Sequence, residues 1–399
     1  MRVRVPTFPL HGMKSNIDTP DWPLPGISHA HFLERYWQRK PLLLRQAIPG
    51  FKPLLTRTEL FRWAGSEDAE SRLVQRKDEH WFLRHGPFGR RQLPPLRQPD
   101  WTLLVQGVNL LDDAVAALLE RFRFIPDARL DDVMISWASD GGGVGPHVDA
   151  YDVFLLQAEG QRRWRIGPVK RPCFQPEQPL KLLVDFEPDT EWVLNPGDML
   201  YLPPGWGHDG VALGPCMTYS IGFRAPPAGE LLQQLLWKLA DGLEQGARYS
   251  DRGRIDPACA RHPARLPGDM VQFLHTAFNR LKPAARDFEV ALGELLTEPK
   301  QQVWFEPSQQ KPTQLDRICA RRGVRLDRRS RMLYSATDVY INGERVEAGL
   351  ARSKWLRVLA DRHALGHADW KLASAHERAL LLQWCAQGWL HADVEGNDA

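Results

Sequence analysis

Three residues of this chain have the types and spacing for metal chemistry: His147 and Asp149, two positions apart, and His208 much further along. Alternate side chains of a strand face the same way, so His147 and Asp149 converge on one point while a neighbouring strand supplies a third corner. Two imidazoles and a carboxylate are borderline ligands that suit Fe(II) and leave three positions open, an arrangement for oxygen chemistry and not for a closed structural site. An isolated His-x-Asp is common by chance. Its surroundings give it weight. Ahead of it runs Gly141-Gly142-Gly143-Val144-Gly145-Pro146. His208 ends the unit Asn195-Pro196-Gly197-Asp198-Met199-Leu200-Tyr201-Leu202-Pro203-Pro204-Gly205-Trp206-Gly207-His208, which reads as a turn, a buried strand and a tight Pro-Gly turn that delivers the histidine. His80, His85 and His262 read as ordinary surface or packing residues.

The elements that must position these residues are short β-type runs between about residues 130 and 225: Val133–Trp137, Asp152–Gln157, Arg163–Ile166, Met199–Leu202 and Met217–Ile221. Their spacing predicts a β-sandwich or jelly roll. Upstream, Phe32, Leu33, Tyr36 and Trp37 recur at helical spacing until Pro41. Leu60-Phe61-Trp63 looks helical, His80–Leu83 extended, and Leu110 to Phe122 an amphipathic helix. Beyond Pro226 and Pro227, Leu231, Leu232, Leu235, Leu236, Leu239 and Leu243 form an apolar helical stripe, followed by helical patterns over Met270–Leu281 and Phe288–Leu296. These three helices form a small bundle within one chain or pair with a second copy. From residue 305 onward come a helix near Leu315–Cys319, a hairpin turning on Asn342-Gly343, and helices around Trp355–Leu359 and Leu380–Trp384. The last carries the capping box Ser374-x-x-Glu377 and ends at Gly388. Helices with a short wing-like hairpin read as a winged-helix module.

The chain has 399 residues, 43% hydrophobic and 25% charged, with no long apolar run, which describes two or three globular domains and excludes a membrane span. A net charge of +3 is too small for a dedicated nucleic-acid binder. The five cysteines, Cys173, Cys216, Cys259, Cys319 and Cys385, include no Cys-x-x-Cys pair, which indicates a reducing compartment. Prolines at 6, 9, 20, 23 and 25 interrupt any signal-like segment, so the expected location is the cytoplasm.

These motifs bring a family into view. The β segment resembles the Jumonji-C branch of the cupin superfamily, the Fe(II)- and 2-oxoglutarate-dependent oxygenases. The likeness rests on His147-x-Asp149, His208, the run Tyr151–Gln157 with Gly160-x-Arg162-x-Trp164, and Phe32-x-x-x-Tyr36-Trp37-x-x-Lys40-Pro41 as an entry helix. With the helical middle and winged-helix-like end, the whole chain is similar to the bacterial ribosomal oxygenases, known for hydroxylating an arginine of large-subunit ribosomal protein sixteen. The resemblance implies an α+β chain: a double-stranded β-helix (jelly roll) oxygenase domain over 1–225, a helical-bundle dimerisation domain over 226–303 and a winged-helix domain over 304–399. It implies Fe(II) on His147, Asp149 and His208, with 2-oxoglutarate and O2 as cosubstrates. It also implies a cytoplasmic homodimer and the products hydroxyarginine, succinate and CO2. Arg162 would form a bidentate pair with the distal carboxylate of 2-oxoglutarate, and Ser136 would add a hydroxyl bond. If Ser136 points inward, Asp132 and Met134 share its face, and Tyr151 shares that of His147 and Asp149. An aspartate, a thioether and an aromatic ring suit a guanidinium substrate, although Asp132 also reads as a strand-end cap or surface carboxylate.

Two other readings compete. One is a histidine hydroxylase or lysyl demethylase of another protein; the other is a transcription regulator with a cupin-like sensor and a winged-helix reader. The second needs a strongly basic recognition helix, whereas the helix near Trp355 offers only Arg352, Lys354 and Arg357. The arginine-rich stretch Arg317, Arg321, Arg322, Arg325, Arg328, Arg329 and Arg331 is interrupted by Asp316 and Asp327 and lacks interleaved aromatics, so nucleic-acid contact is not predicted from it.

Overall fold

A computed structural model of the protein describes residues 23–78, 80–241, 248–252 and 262–392. Most of the Pro-rich leader, Leu243 of the apolar stripe and Cys259 lie outside them. The chain divides into two compact units, Met1–Ala225 and Pro226–Ala399.

The first unit opens with α1 (His29–Arg35), capped by the Ser28 side chain, which accepts from the His31 amide; Pro41 then forbids continuation and β1 (Leu42–Leu44) begins. There follow α2 (Arg57–Trp63), started by a Thr56/Glu59 capping box, β2 (Ser71–Lys77), β3 (His80–His85) and β4 (Trp101–Val105). Helix α3 is shorter than the apolar pattern predicts, Asp113–Glu120 instead of Leu110–Phe122. The reason is local: the Asp112 carboxylate accepts from the Ala114 and Val115 amides and sets the start there, and Val108–Leu110 forms a separate 3-10 turn.

The remaining strands are β5 (Leu130–Ala138), β6 (His147–Val148), β7 (Val153–Pro168), β8 (Thr190–Leu194), β9 (Met199–Leu202) and β10 (Trp206–Phe223). They join one antiparallel sheet in the order β1-β9-β7-β10-β5-β4-β2-β3, with β6 on β10 and β8 on β7. The runs Asp152–Gln157 and Arg163–Ile166, expected as two strands, belong to the single 16-residue β7. Gly160 joins them at φ +63°, and a Cβ there would lie 2.2 Å from the Pro215 carbonyl oxygen; the register with β10 shifts at the same level. The kink lets one strand pair serve both halves of a jelly roll, β9 pairing with the first half of β7 and β8 with the second. Behind the sheet lies an aromatic core that includes Phe32, Phe154 and Tyr201, with Trp101 and Trp137 at 4.8 Å between centroids.

The second unit begins with α4 (Ala228–Asp241), α5 (Gly268–Arg280) and α6 (Ala285–Thr297). Helices α4 and α6 pack together and share the Lys238–Glu294 ion pair. Of the two arrangements the sequence left open, a bundle within one chain does not extend to α5, which buries none of its residues and leaves Phe273, Leu274 and Phe278 exposed.

After α7 (Pro312–Arg322) and β11 (Val324–Leu326) come β12 (Met332–Tyr334), β13 (Val339–Ile341) and β14 (Glu344–Arg345), the last two turning on Asn342 and Gly343 at φ +48° and +84°. This is the predicted hairpin, with both central residues left-handed. Next are α8 (Lys354–Arg362), β15 (Ala364–Leu365), α9 (His367–Leu372), α10 (Ala375–Gln387) and β16 (Leu390–Ala392). The Ser374/Glu377 capping box and the Gly388 stop bound α10 as expected. A β15-β11-β16 sheet and the wing enclose a core centred on Trp370, Leu356 and Trp384. Helix α6 packs on the wing, where the Gly343 amide donates to the Thr297 hydroxyl and a Cβ at Gly293 would meet the Tyr340 ring at 2.5 Å.

Candidate metal centre

The glycine run before His147 is explained by close backbone packing. A Cβ at Gly142 would lie 2.3 Å from the Trp101 carbonyl oxygen, and one at Gly143 would lie 2.6 Å from that of Gly210. The loop therefore lies flat between β4 and β10, and β6 pairs with β10 so that His147 stands directly opposite His208. Their ring centroids are 4.1 Å apart, and the carboxylate of Asp149, just past β6, reaches 3.6 Å from His208 Nε2. Ligand atoms of all three residues fall within 4.8 Å of one another. They form the one such cluster among the described residues.

Backbone carbonyls set the orientation of both imidazoles. His147 Nδ1 lies 2.9 Å from the Gly145 carbonyl and His208 Nδ1 lies 3.0 Å from that of Trp206. A carbonyl only accepts, so each Nδ1 carries the proton and each Nε2 keeps its lone pair for a metal. Burial and the adjacent His147 push the His208 pKa down to about 4, so this imidazole is held neutral, as a ligand must be.

The triad lines a cavity of about 480 Å³ that also reaches Arg162, Ser136, Asp132, Met134 and Tyr151, so every residue singled out from the sequence meets there. Arg162, on the second half of β7, is 4% exposed and has no carboxylate partner among the described residues. Its Nη2 reaches only Cys216 Sγ at 3.6 Å, its Nε has no partner, and its guanidinium lies 5.7 Å from the Trp164 ring. A buried charge in this condition is costly unless an anion completes it. Ser136, on β5, is paired in register with Thr218 on β10, and both are buried at the cavity wall.

Asp132 is not a surface carboxylate. It is 2% exposed and accepts from Gln106 Nε2 at 2.8 Å and from the Gly107 amide at 2.9 Å. These bonds hold its carboxylate at the cavity wall, where Arg72 donates to Gln106 Oε1 at 3.1 Å and lies 3.6 Å from Met134 Sδ. Tyr151, 41% exposed, stands at the mouth.

Sequence reasoning missed Arg72, Gln106, Thr102 and the support of Trp164. Thr102 is fully buried on β4 with an unpartnered hydroxyl against the cavity, and the pairing β4–β5–β10 that brings it there spans distant parts of the chain. Trp164 packs 5.9 Å from His208 and over Gly210, where any side chain would strike the ring. The juxtaposition of Gly160-x-Arg162-x-Trp164 with the glycine of His208-x-Gly210 was the available signal.

Comparison with known proteins agrees with this geometry. Residues 117–231 match the JmjC domain family and residues 279–391 match the ROXA-like winged helix. The ribosomal protein uL16 3-hydroxylase of Escherichia coli K12 is 36% identical over 341 residues, covering 83% of this chain and 86% of that protein. A crystal structure of E. coli YcfD superposes with a TM-score of 0.79 at 32% identity, covering 92% of this chain and 98% of the other. The same ribosomal oxygenase in complex with cobalt and 2-oxoglutarate gives a TM-score of 0.75 at 33% identity, over 92% and 98% of the two chains. A metal triad on a jelly roll, a buried unpaired arginine beside it, and likeness along nearly the whole chain lead to one assignment: this chain belongs to the Jumonji-C oxygenases of the bacterial ribosomal oxygenase type.

Proposed function

We propose that the protein is an Fe(II)- and 2-oxoglutarate-dependent hydroxylase of a large-subunit ribosomal protein, its target an arginine side chain of uL16. The observation that carries this reading is the buried Arg162, without a carboxylate partner among the described residues, in the same cavity as the His147–Asp149–His208 triad. The donor set fits the metal: two neutral imidazoles and a carboxylate, with ring orientations held by carbonyls. When bound, iron with 2-oxoglutarate and O2 supplies the oxidising power that converts an unactivated C–H bond to C–OH and yields succinate and CO2.

The chain's own residues bind, orient and exclude water. Arg162, with Ser136 beside it, takes the distal carboxylate of 2-oxoglutarate by paired charge-assisted bonds. Trp164, itself buried, packs beside both Arg162 and His208. Asp132, fixed by Gln106 and Gly107, offers a carboxylate to a guanidinium, with Met134 and Tyr151 as its apolar walls. A buried carboxylate suits a cationic substrate better than a neutral imidazole, which favours arginine over histidine.

We assign three functional parts, oxygenase over 1–225, dimerising helices over 226–303 and winged helix over 304–399, acting as a cytoplasmic homodimer. No helix among the described residues is long and apolar enough to cross a membrane. The exposed apolar residues of α5, together with the groove between α4 and α6, support the dimer.

The test is incubation with Fe(II), 2-oxoglutarate and purified uL16, followed by mass spectrometry of its peptides. A single added oxygen on one arginine, absent with His147→Ala and Asp149→Ala, is the expected result; an unmodified uL16 with an active wild-type control for 2-oxoglutarate turnover overturns the substrate assignment. Asp132→Ala is expected to lose uL16 hydroxylation far more than uncoupled 2-oxoglutarate decarboxylation, and equal loss of both removes it from substrate binding.

A further inference from the structure

Asp132 is held by a chain of side chains that crosses three neighbouring strands. Arg72 on β2 is paired in register with Leu104 on β4, and Leu104 with Ser136 on β5, the strand that also carries Asp132. The Gln106 amide donates to the Glu70 carbonyl, which carries the β2–β4 ladder one step past Val105 and fixes the backbone of Gln106. From there its side chain bridges the two charges: Arg72 Nη2 donates to Gln106 Oε1 at 3.1 Å, and Gln106 Nε2 donates to Asp132 Oδ2 at 2.8 Å. The same carboxylate oxygen accepts at 2.9 Å from Gly107, the left-handed residue that opens the 3-10 turn Val108–Leu110. Oδ1 lies toward Gly222, its register partner on β10, where a Cβ would come within 3.7 Å of it; the missing side chain leaves room on that side.

The bonds in this chain can run in one direction only. A guanidinium donates and never accepts, so the Gln106 amide must turn its oxygen to Arg72 and its NH2 to Asp132. Without Arg72 the amide is able to swing its oxygen onto the carboxylate, which then faces an acceptor and loses a donor. The amide also keeps the two charges apart. Arg72 has no carboxylate partner among the described residues, and its Nη2 is steadied at 3.6 Å from Met134 Sδ. A direct ion pair between Arg72 and Asp132 would compete with an incoming guanidinium for the carboxylate, whereas an uncharged amide passes on orientation and leaves the negative charge to the substrate. Asp131, the neighbouring carboxylate on the cavity wall, is already engaged by Arg224 at 3.5 Å.

We propose that Arg72 is a positioning residue for the protein substrate: acting through Gln106, it fixes the Asp132 carboxylate in the orientation that selects a guanidinium. This role rests on the reading of Asp132 as the partner of the target arginine. It places the control of that selectivity two strands away from the carboxylate, on a residue that needs no contact of its own with the substrate.

The experiment titrates fluorescein-labelled uL16 peptides, carrying the target arginine or citrulline in its place, against the full-length protein with Mn(II) and 2-oxoglutarate in the absence of oxygen. Hydroxylation of the arginine peptide with Fe(II) is followed in parallel. Arg72→Met keeps the reach of the side chain and removes its donors; it is expected to weaken binding of the arginine peptide about 10- to 100-fold, the worth of a hydrogen bond to a charged group. Binding of the neutral citrulline peptide should change by less than about threefold, and the loss for arginine should appear in KM while kcat stays within about threefold. Arg72→Lys, still a donor without an acceptor, recovers most of the loss, and Gln106→Met reproduces it, which guards against a misfolded Arg72 variant. Arg72→Met/Asp132→Ala binds the arginine peptide no more weakly than Asp132→Ala alone, because Arg72 acts only through that carboxylate. Three results overturn the role: arginine-peptide binding by Arg72→Met within about threefold of wild type, a further loss of about tenfold in the double variant, which makes Arg72 a direct contact, or an equal loss in affinity for 2-oxoglutarate, which makes it a general support of the wall. A loss in Asp132→Ala with none in Arg72→Met refutes Arg72 alone; no loss in Asp132→Ala removes the reading of Asp132 and the role of Arg72 with it.

Discussion

Replacing Arg162 with Met separates a cosubstrate-binding role from a structural one, because the two predict opposite signs. Arg162 is 4% exposed, its Nε is unsatisfied, and it has no carboxylate partner among the described residues. Removing an uncompensated buried charge in favour of an apolar side chain of similar reach is neutral or stabilising by about 1–4 kcal/mol. Loss of packing against Trp164 offsets about 1 kcal/mol of that. The metal-loaded variant without cosubstrate should therefore melt at or above the wild-type temperature. For 2-oxoglutarate the same change removes one partner of a buried, hydrogen-bonded charge pair, a loss of about 2–5 kcal/mol. That range corresponds to a rise in Kd of roughly 30-fold to several thousand-fold. Arg162→Lys keeps the charge without the planar fork and should fall between the two. The assay is thermal denaturation and calorimetric titration of 2-oxoglutarate under anaerobic conditions with Mn(II) in place of iron. The reasoning is refuted if Arg162→Met binds 2-oxoglutarate within about threefold of wild type, or if the variant without cosubstrate is destabilised by about 2 kcal/mol or more, the signature of a structural residue.

Other consequences of the geometry are testable in parallel. Gly210→Ala places a Cβ 2.5 Å from the Trp164 ring, so overpacking should cost about 1–3 kcal/mol and weaken metal retention through the displaced His208, read by melting and by metal content after dialysis. Asp152 is fully buried and accepts from Tyr201 Oη at 2.6 Å, Gln38 Nε2 at 3.0 Å and Arg129 Nη2 at 3.1 Å. Asp152→Ala should cost about 3–5 kcal/mol in urea unfolding, and a cost below that of a surface substitution contradicts the network. Asp327 has a depressed carboxyl, so its contribution is present above the unfolded carboxylate value near 4 and is lost as pH falls toward the lower folded value. Acid unfolding followed by tryptophan fluorescence should be shallower below pH 4 in Asp327→Asn than in wild type, and parallel profiles would exclude this origin.

The metal centre was legible because its signal is short-range. His147 and Asp149 are two positions apart at the end of the short β6 and converge as the spacing predicts, and the Pro203-Pro204-Gly205 turn starts the strand that carries His208. The same holds for the Asn342-Gly343 hairpin and the Ser374/Glu377 capping box, where the residues that specify the feature also make its bonds. Less was visible wherever burial or pairing across long separations decided the outcome. Leu110–Phe122 has a helical apolar pattern, yet Asp112 competes as a cap and shortens the helix. Asp132 reads as equally surface or buried until Gln106 and Gly107 from the β4 side close on its carboxylate. The seven arginines look alike in one dimension; only the fold turns Arg329 onto Asp327 and leaves Arg322, Arg325 and Arg328 around a cavity.

By itself, then, the chain's order of residues determines the ligand triad, the turn chemistry, most of the helices and strands and the family, since each depends on spacing within a few residues or on motifs that survive as text. Tertiary structure decided which arginine is buried without a partner, that β7 is one kinked strand through Gly160, and that α5 keeps its apolar face outward. Those outcomes depend on desolvation and on contacts between segments far apart in sequence, which no local pattern encodes.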